Sequence, residues 1–136
     1  MKDKFIRYFS KVTQLTAELS SAKKLQVGAI IVKDNRIISV GYNGMPSGWT
    51  NECEHDGKTK PEVLHAETNA IAKVAKSNES CENAVLFCTH TPCIECAKLI
   101  YQSGIGEVFI QTEYKPSKGS GEDFLKKCKI PINYLN

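Results

Sequence analysis

Arginine is nearly missing from this chain. Of its eighteen basic residues sixteen are lysines, so only Arg7 and Arg36 could read bases or phosphates in the bidentate way that sequence-specific nucleic-acid recognition favours. With a net charge of only +3, a nucleic-acid partner is not expected. No run approaches the ~20 apolar residues of a membrane span, so no membrane association is expected either. The start, MKDKFIRYF, has neither the apolar stretch nor the small-residue cleavage site of a secretory signal, which points to the cytoplasm. Repeats, low-complexity tracts and linkers are also missing, and the 136 residues read as one domain, 1–136, with one core. An apolar fraction of 41% against 24% charged residues excludes a disordered chain.

Cysteine, by contrast, is plentiful. In a reducing compartment six cysteines serve as ligands or core thiols before they serve as disulfides, and their spacing is not that of a small stapled scaffold. The lysine-rich charge suits a small phosphorylated substrate held by lysines and backbone amides, and equally an ordinary solvated surface.

Phe5, Phe9, Val12, Leu15 and Leu19 recur at spacings of three and four, which predicts a helix over 4–20 with one buried stripe. Two β-branched runs, 27–33 and 36–42, flank Asp34-Asn35 and read as an antiparallel hairpin. A long polar loop follows over 43–60, of the kind that is usually functional or disordered. Next comes a helix carrying His65, Glu67, Ala70, Ile71 and Val74 and ending near Lys76. After a buried-type strand over 84–90, Thr91 can cap and Pro92 open a helix that runs to Ser103 and stops at Gly104. A strand over 107–111, a helix over 122–128 capped by Ser120, and an edge strand over 130–135 that tolerates Pro131 complete the order α-β-β-α-β-α-β-α-β. Strands separated by helices imply parallel pairing, so the expectation is an α/β fold whose mixed five-stranded sheet has an antiparallel first hairpin.

The chemistry concentrates in THTPCIECAK, residues 89–98. Cys93 and Cys96 fall where a helix begins, and its free N–H groups and positive dipole end favour thiolate. A Cys-x-x-Cys pair at a helix start after a strand also suits a thioredoxin-like redox motif, which needs no histidine or carboxylate elsewhere. This chain has both in His65-Ala66-Glu67. Taken singly, His65 reads as a capped or core histidine and Glu67 as a solvated helix-start carboxylate. Together with the proline-led cysteine pair they match the His-x-Glu and Pro-Cys-x-x-Cys signature of zinc deaminases, in which three N/S ligands leave the metal one open position.

Three segments, VGAIIVKDNRIISVGYNGMPSG, HAETNAI and THTPCIECAKLIYQSGI, resemble deoxycytidylate (dCMP) deaminases, a branch of the cytidine deaminase superfamily. The likeness covers residues 27–48 and 62–110. Nucleoside cytidine deaminases usually place cysteine where His65 stands, and tRNA adenosine deaminases lack the Gly44-Met45-Pro46 continuation. The resemblance implies a three-layer α/β/α cytidine deaminase-like fold and hydrolytic deamination of dCMP to dUMP and ammonia. It implies that His65, Cys93 and Cys96 hold one Zn²⁺, which activates water for attack on C4, and that Glu67 carries the protons. It further implies that the Ala66 N–H and the Thr91 carbonyl bind the pyrimidine edge and that Asn43 binds the sugar 3′-hydroxyl. Asn43 also reads as a turn residue at positive φ before Gly44.

For the 5′-phosphate, Lys23 and Lys24 precede the first strand while Tyr114, Lys115 and Lys118 share a later loop; Lys24 and Tyr114 are the residues we select. The resemblance also implies a homo-oligomer, with a hexamer favoured, activated by dCTP and inhibited by dTTP with Mg²⁺. An effector would be sought at Gly44 and Met45 in the GYNG loop and at Glu62, Asn69, Lys73 and Lys76 beside it, although Lys73 and Lys76 read equally as helix-surface charge. Cys53 and His55 are two ligands short of a second, closed zinc site, so one zinc is expected. Cys88 and Cys128 read as core thiols, and Cys81 is unassigned. Two other readings remain: a deaminase of another base or nucleoside, and a zinc-stabilised interaction module without catalysis.

Overall fold

The computed structural model describes residues 1–135. Its elements are α1 (Asp3–Ala17), β1 (Gly28–Lys33), β2 (Arg36–Tyr42), β3 (Glu54–His55), β4 (Lys58–Thr59), α2 (Ala66–Ala75), β5 (Val85–His90), α3 (Ile94–Gln102), β6 (Glu107–Thr112), α4 (Glu122–Lys127) and β7 (Ile132–Tyr134). Five strands form one sheet in the order β2-β1-β5-β6-β7.

Strand alternation sorts the core into two layers. Ile30, Val32, Phe87 and Phe109 face α1 through Phe9, with Phe87 and Phe109 stacked at 4.6 Å. Ala29, Ile31, Leu86, Cys88, Val108 and Ile110 face α2, α3 and α4, meeting Ala70, Val74, Ala97, Ile100 and Leu125. This is the expected α/β/α arrangement with a mixed five-stranded sheet.

The first hairpin turns as its residues demand. Asp34 (φ 52°) and Asn35 (φ 57°) both take left-handed backbone, which two-residue turns matching the strand twist require. The strand directions are subtler than expected. β1 lies between β2 and β5 and is antiparallel to both, whereas β5, β6 and β7 run parallel. β2 and β5, joined through α2, therefore point the same way with β1 inserted between them.

Other differences are local. α1 ends at Ala17, and its buried side is Phe9, Thr13, Thr16 and Ala17, while Leu15 and Leu19 are 62% and 63% exposed. Threonines can replace leucines in that stripe because Thr13 and Thr16 donate to the Phe9 and Val12 carbonyls, which leaves no unsatisfied hydroxyl. The loop over 43–60 contains the β3–β4 ribbon, turned at Asp56 and Gly57, both at positive φ. Asn43 is not at positive φ. α3 starts at Ile94 with Cys93 as its extended N-cap residue, so Thr91 and Pro92 lie outside the helix. α2 likewise starts at Ala66, with His65 at the N-cap. The Ser120 hydroxyl does accept the Glu122 N–H at 3.2 Å. Cys88 is a core thiol as expected and Cys81 is buried, but Cys128 follows α4 and is only half-buried.

Two connections position the site. β2 and β5 end on the same edge of the sheet, and the helices that follow them, α2 and α3, begin there. Their first turns are consequently neighbours, in the crevice outside the strand ends where α/β proteins place ligands.

Candidate active site

His65, Cys93 and Cys96 are brought together by that arrangement. The His65 Nδ1 lies 3.2 Å from the Cys96 Sγ and 3.6 Å from the Cys93 Sγ, and all three donor atoms fall within 4.8 Å of one another. Ordinary Zn–N and Zn–S bonds at a tetrahedral angle would separate nitrogen and sulfur by about 3.6 Å. The donor set is therefore the right chemistry at close to the right spacing. Among the described residues, no other histidine, cysteine, aspartate or glutamate joins the cluster.

Its protons are already arranged for a cation. A hydrogen bond from Cys96, assisted by another from His65, outweighs burial and pulls the Cys93 thiol down to about 3. The same bond to Cys93, followed by burial, pushes Cys96 up. His65 is raised, chiefly by its hydrogen bond to Cys93. An acidified thiol is what a metal needs here, since cysteine ligates as thiolate.

Glu67 stands one residue inside α2 from Ala66, only 4% exposed. Desolvation dominates its surroundings and pushes its carboxyl up to about 7, against the opposing effects of a backbone N–H and the His65 charge. It is not part of the donor cluster. A buried carboxyl poised near neutrality, and not committed to a metal, has the properties of a general acid and base.

His65, Cys93 and Glu67 open onto a cavity of about 350 Å³. Lys24, Asn43, Ala66, Thr91 and Tyr114, the five residues selected from the sequence for substrate, all line it; Lys23 and Lys115 do not. Ala66 is the first residue of α2, so its N–H has no partner within the helix. The Thr91 carbonyl accepts from no backbone N–H among the described residues. Asn43 is structurally engaged: its Oδ1 accepts the Val27 N–H at 2.9 Å and its Nδ2 donates to the Leu25 carbonyl at 2.8 Å. One amide hydrogen and one lone pair remain on it. Sequence reasoning missed His90 and Lys60 and did not select Lys118, all three of which line the cavity. For His90 the signal was present, because it immediately precedes Thr91 at the end of β5.

A second cavity, about 180 Å³, is lined by Gly44, Met45, Asn69 and Lys73. Glu62 and Lys76, the other two residues grouped with them from the sequence, do not line it. Lys73 donates to the Val40 carbonyl at 3.0 Å and lies over the Tyr42 ring, while Asn69 donates to the Tyr42 carbonyl, so both also stitch α2 to β2.

An imidazole and two thiols converging near a buried carboxyl that the cluster leaves out, against a cavity of about 350 Å³, have the makeup of a hydrolytic zinc site, three N/S donors with a fourth position open. The family model for the cytidine and deoxycytidylate deaminase zinc-binding region matches residues 3–112, and the chain belongs to that family. It is similar to the dCMP deaminase of cyanophage S-TIM5, whose crystal structure holds dCMP and dUMP, with 42% identity and a TM-score of 0.94 over 99% of both chains. Human deoxycytidylate deaminase is 42% identical over 81% of this chain and 66% of its own length. That of Schizosaccharomyces pombe is 36% identical over 79% of this chain and 37% of its own. The chain therefore spans about two thirds of the human protein and just over a third of the yeast one.

Proposed function

We propose that this protein hydrolyses dCMP to dUMP and ammonia in the cytoplasm, using zinc held by His65, Cys93 and Cys96. The observation that carries this reading is the three-donor cluster with Glu67 beside it but outside it. Zinc bound there would supply Lewis acidity that brings the pKa of a water towards neutrality. Glu67 takes a proton from the attacking water and delivers it to the ring N3. It then passes a second proton to the amino group that leaves C4, so that one water is consumed and one ammonia released. The Ala66 N–H and the Thr91 carbonyl orient the pyrimidine, since each is a backbone group facing the cavity without an intramolecular backbone partner. Asn43 uses its remaining amide hydrogen on the sugar. Lys24, Lys118 and Tyr114 at the cavity wall favour a 5′-phosphate.

Regulation extends the same reading. The second cavity, with Gly44, Met45, Asn69 and Lys73, is the place for a nucleoside triphosphate, dCTP as activator or dTTP with Mg²⁺ as inhibitor. The exposed Leu15, Leu19 and Trp49 support assembly of several copies, with a hexamer favoured.

Comparing dCMP, CMP, deoxycytidine and adenosine as substrates of the purified protein, with and without dCTP or dTTP, tests both parts. We expect turnover of dCMP far above that of the other three, lost on chelation and restored by Zn²⁺. Equal turnover of deoxycytidine would remove the phosphate from the argument, and no turnover of any of them by the zinc-loaded protein would leave only a structural zinc module.

A further inference from the structure

The matched family region ends at residue 112, yet the segment beyond it reaches back to the pocket. Thr91 is where it does so. The Tyr114 N–H donates to the Thr91 Oγ1 at 3.0 Å, and the Thr91 Oγ1 lies 3.3 Å from the Tyr134 hydroxyl on β7. That hydroxyl donates to the Glu122 carboxylate on α4, whose other oxygen accepts from the Lys126 Nζ at 3.0 Å.

The direction of every proton in this chain follows from its two ends. A backbone N–H can only donate and an ionised carboxylate can only accept. Tyr134 has one proton and spends it on Glu122, so Thr91 must donate to the Tyr134 oxygen. Its hydroxyl then donates to one neighbour and accepts from the other, so its one proton is not available to a substrate, and the Thr91 carbonyl is the group left without a backbone partner. Tyr114 is held at the other end, its N–H by Thr91 and its ring edge-on to His90 at 5.6 Å.

We propose that Tyr134 is a positioning residue of the pocket: acting through the Thr91 hydroxyl, it sets both the Thr91 carbonyl and the Tyr114 wall, without itself touching substrate. It does not line the cavity. The proposal rests on the deaminase reading for its kinetic expression only. The wall contacts substrate before and during reaction alike, so loosening it removes binding that ground state and transition state share.

The test uses the full-length, zinc-loaded protein with Tyr134→Phe, Thr91→Val and both together, and Thr91→Ser as the conservative variant that keeps the hydroxyl. Tyr134→Phe should raise the KM for dCMP by about 3–10-fold, the range of one hydrogen bond, and leave kcat within about two-fold. Thr91→Val should raise it at least as much, the double variant should match Thr91→Val alone, and Thr91→Ser, which restores the hydroxyl, should recover most of the KM that Thr91→Val loses. Hydrogen exchange of the Tyr114 amide, measured without ligand, should accelerate in Tyr134→Phe and Thr91→Val. Unchanged KM and exchange in Tyr134→Phe, or effects that multiply in the double variant, would overturn the proposal. Should Tyr134→Phe fail to fold, Glu122→Ala removes the acceptor that sets the chain's direction and must give the same KM and exchange changes. If wild type does not turn over dCMP, the functional reading fails on its own, and the Tyr114 exchange pattern across the four variants still decides this one.

Discussion

Gly41 offers a quantitative test of how the site is positioned. It sits in β2 beneath the first turn of α2, at an ordinary backbone conformation, so its importance is closeness rather than flexibility. A methyl at this position would stand 2.3 Å from the Ala66 carbonyl oxygen and 2.6 Å from the Ala70 nitrogen. Real carbon contacts of this kind essentially never fall under 3.0 Å, so α2 must retreat by about 0.7 Å or β2 must bend. Neither is free. The Ser39 hydroxyl donates to the Ala70 carbonyl at 2.8 Å, and with the bonds from Asn69 and Lys73 it fastens the helix to the strand.

α2 carries Ala66 and Glu67 and follows directly on His65, whereas the cysteines stand at the start of α3, Cys93 as its N-cap residue and Cys96 in its first turn, and are not carried by α2. Since misplacement by 1 Å can cost on the order of 10²-fold in rate, Gly41→Ala should lower kcat by roughly 10–100-fold. Overpacking should destabilise by about 1–3 kcal/mol, or roughly 4–12 °C in Tm for a chain of this size. The measurements are steady-state deamination of dCMP, zinc per chain and a thermal melt. Gly106→Ala is the control, because a methyl there meets nothing closer than 3.9 Å and the backbone is not at positive φ. A Gly41→Ala protein with wild-type kcat and Tm would refute the reasoning.

Two further outcomes are expected. Glu67→Gln should lower kcat by about 10²–10⁴-fold while zinc per chain stays unchanged, as measured by elemental analysis; loss of the metal would mean that Glu67 is a ligand rather than a proton carrier. His90 is half-buried, and desolvation lowers its pKa from 6.5, so below that pH the unfolded chain takes up a proton that the folded one resists. Stability should therefore fall on acidification through pH 6.5. His90→Gln should flatten this part of the Tm–pH curve, and an unchanged slope would show that His90 does not contribute.

The parts of this protein legible in its sequence are the ones whose physics is local. Asp34-Asn35 specifies its turn because both residues tolerate left-handed backbone, and HAE and PCIEC place donors within one helix start each. The misread parts were settled by neighbours distant in the chain. Leu15 and Leu19 fit a helical stripe as well as Thr13 and Thr16 do, and only the sheet packed against α1 chose between them. Thr91 has the composition of an N-cap, but its hydroxyl is claimed by Tyr114 and Tyr134, 23 and 43 residues away.

By itself, then, the sequence determined which atoms could bind a metal and which carboxyl could move protons, since donor type and helix-start spacing are properties of a few consecutive residues. The tertiary structure alone decided that β1 lies between β2 and β5, that α2 rests on a bare Gly41, and that His65 meets Cys93 across 28 residues. It also decided that Glu67 is buried. Each of these depends on which surfaces pack together, and a non-local contact of that kind leaves no periodic trace in the segments that make it.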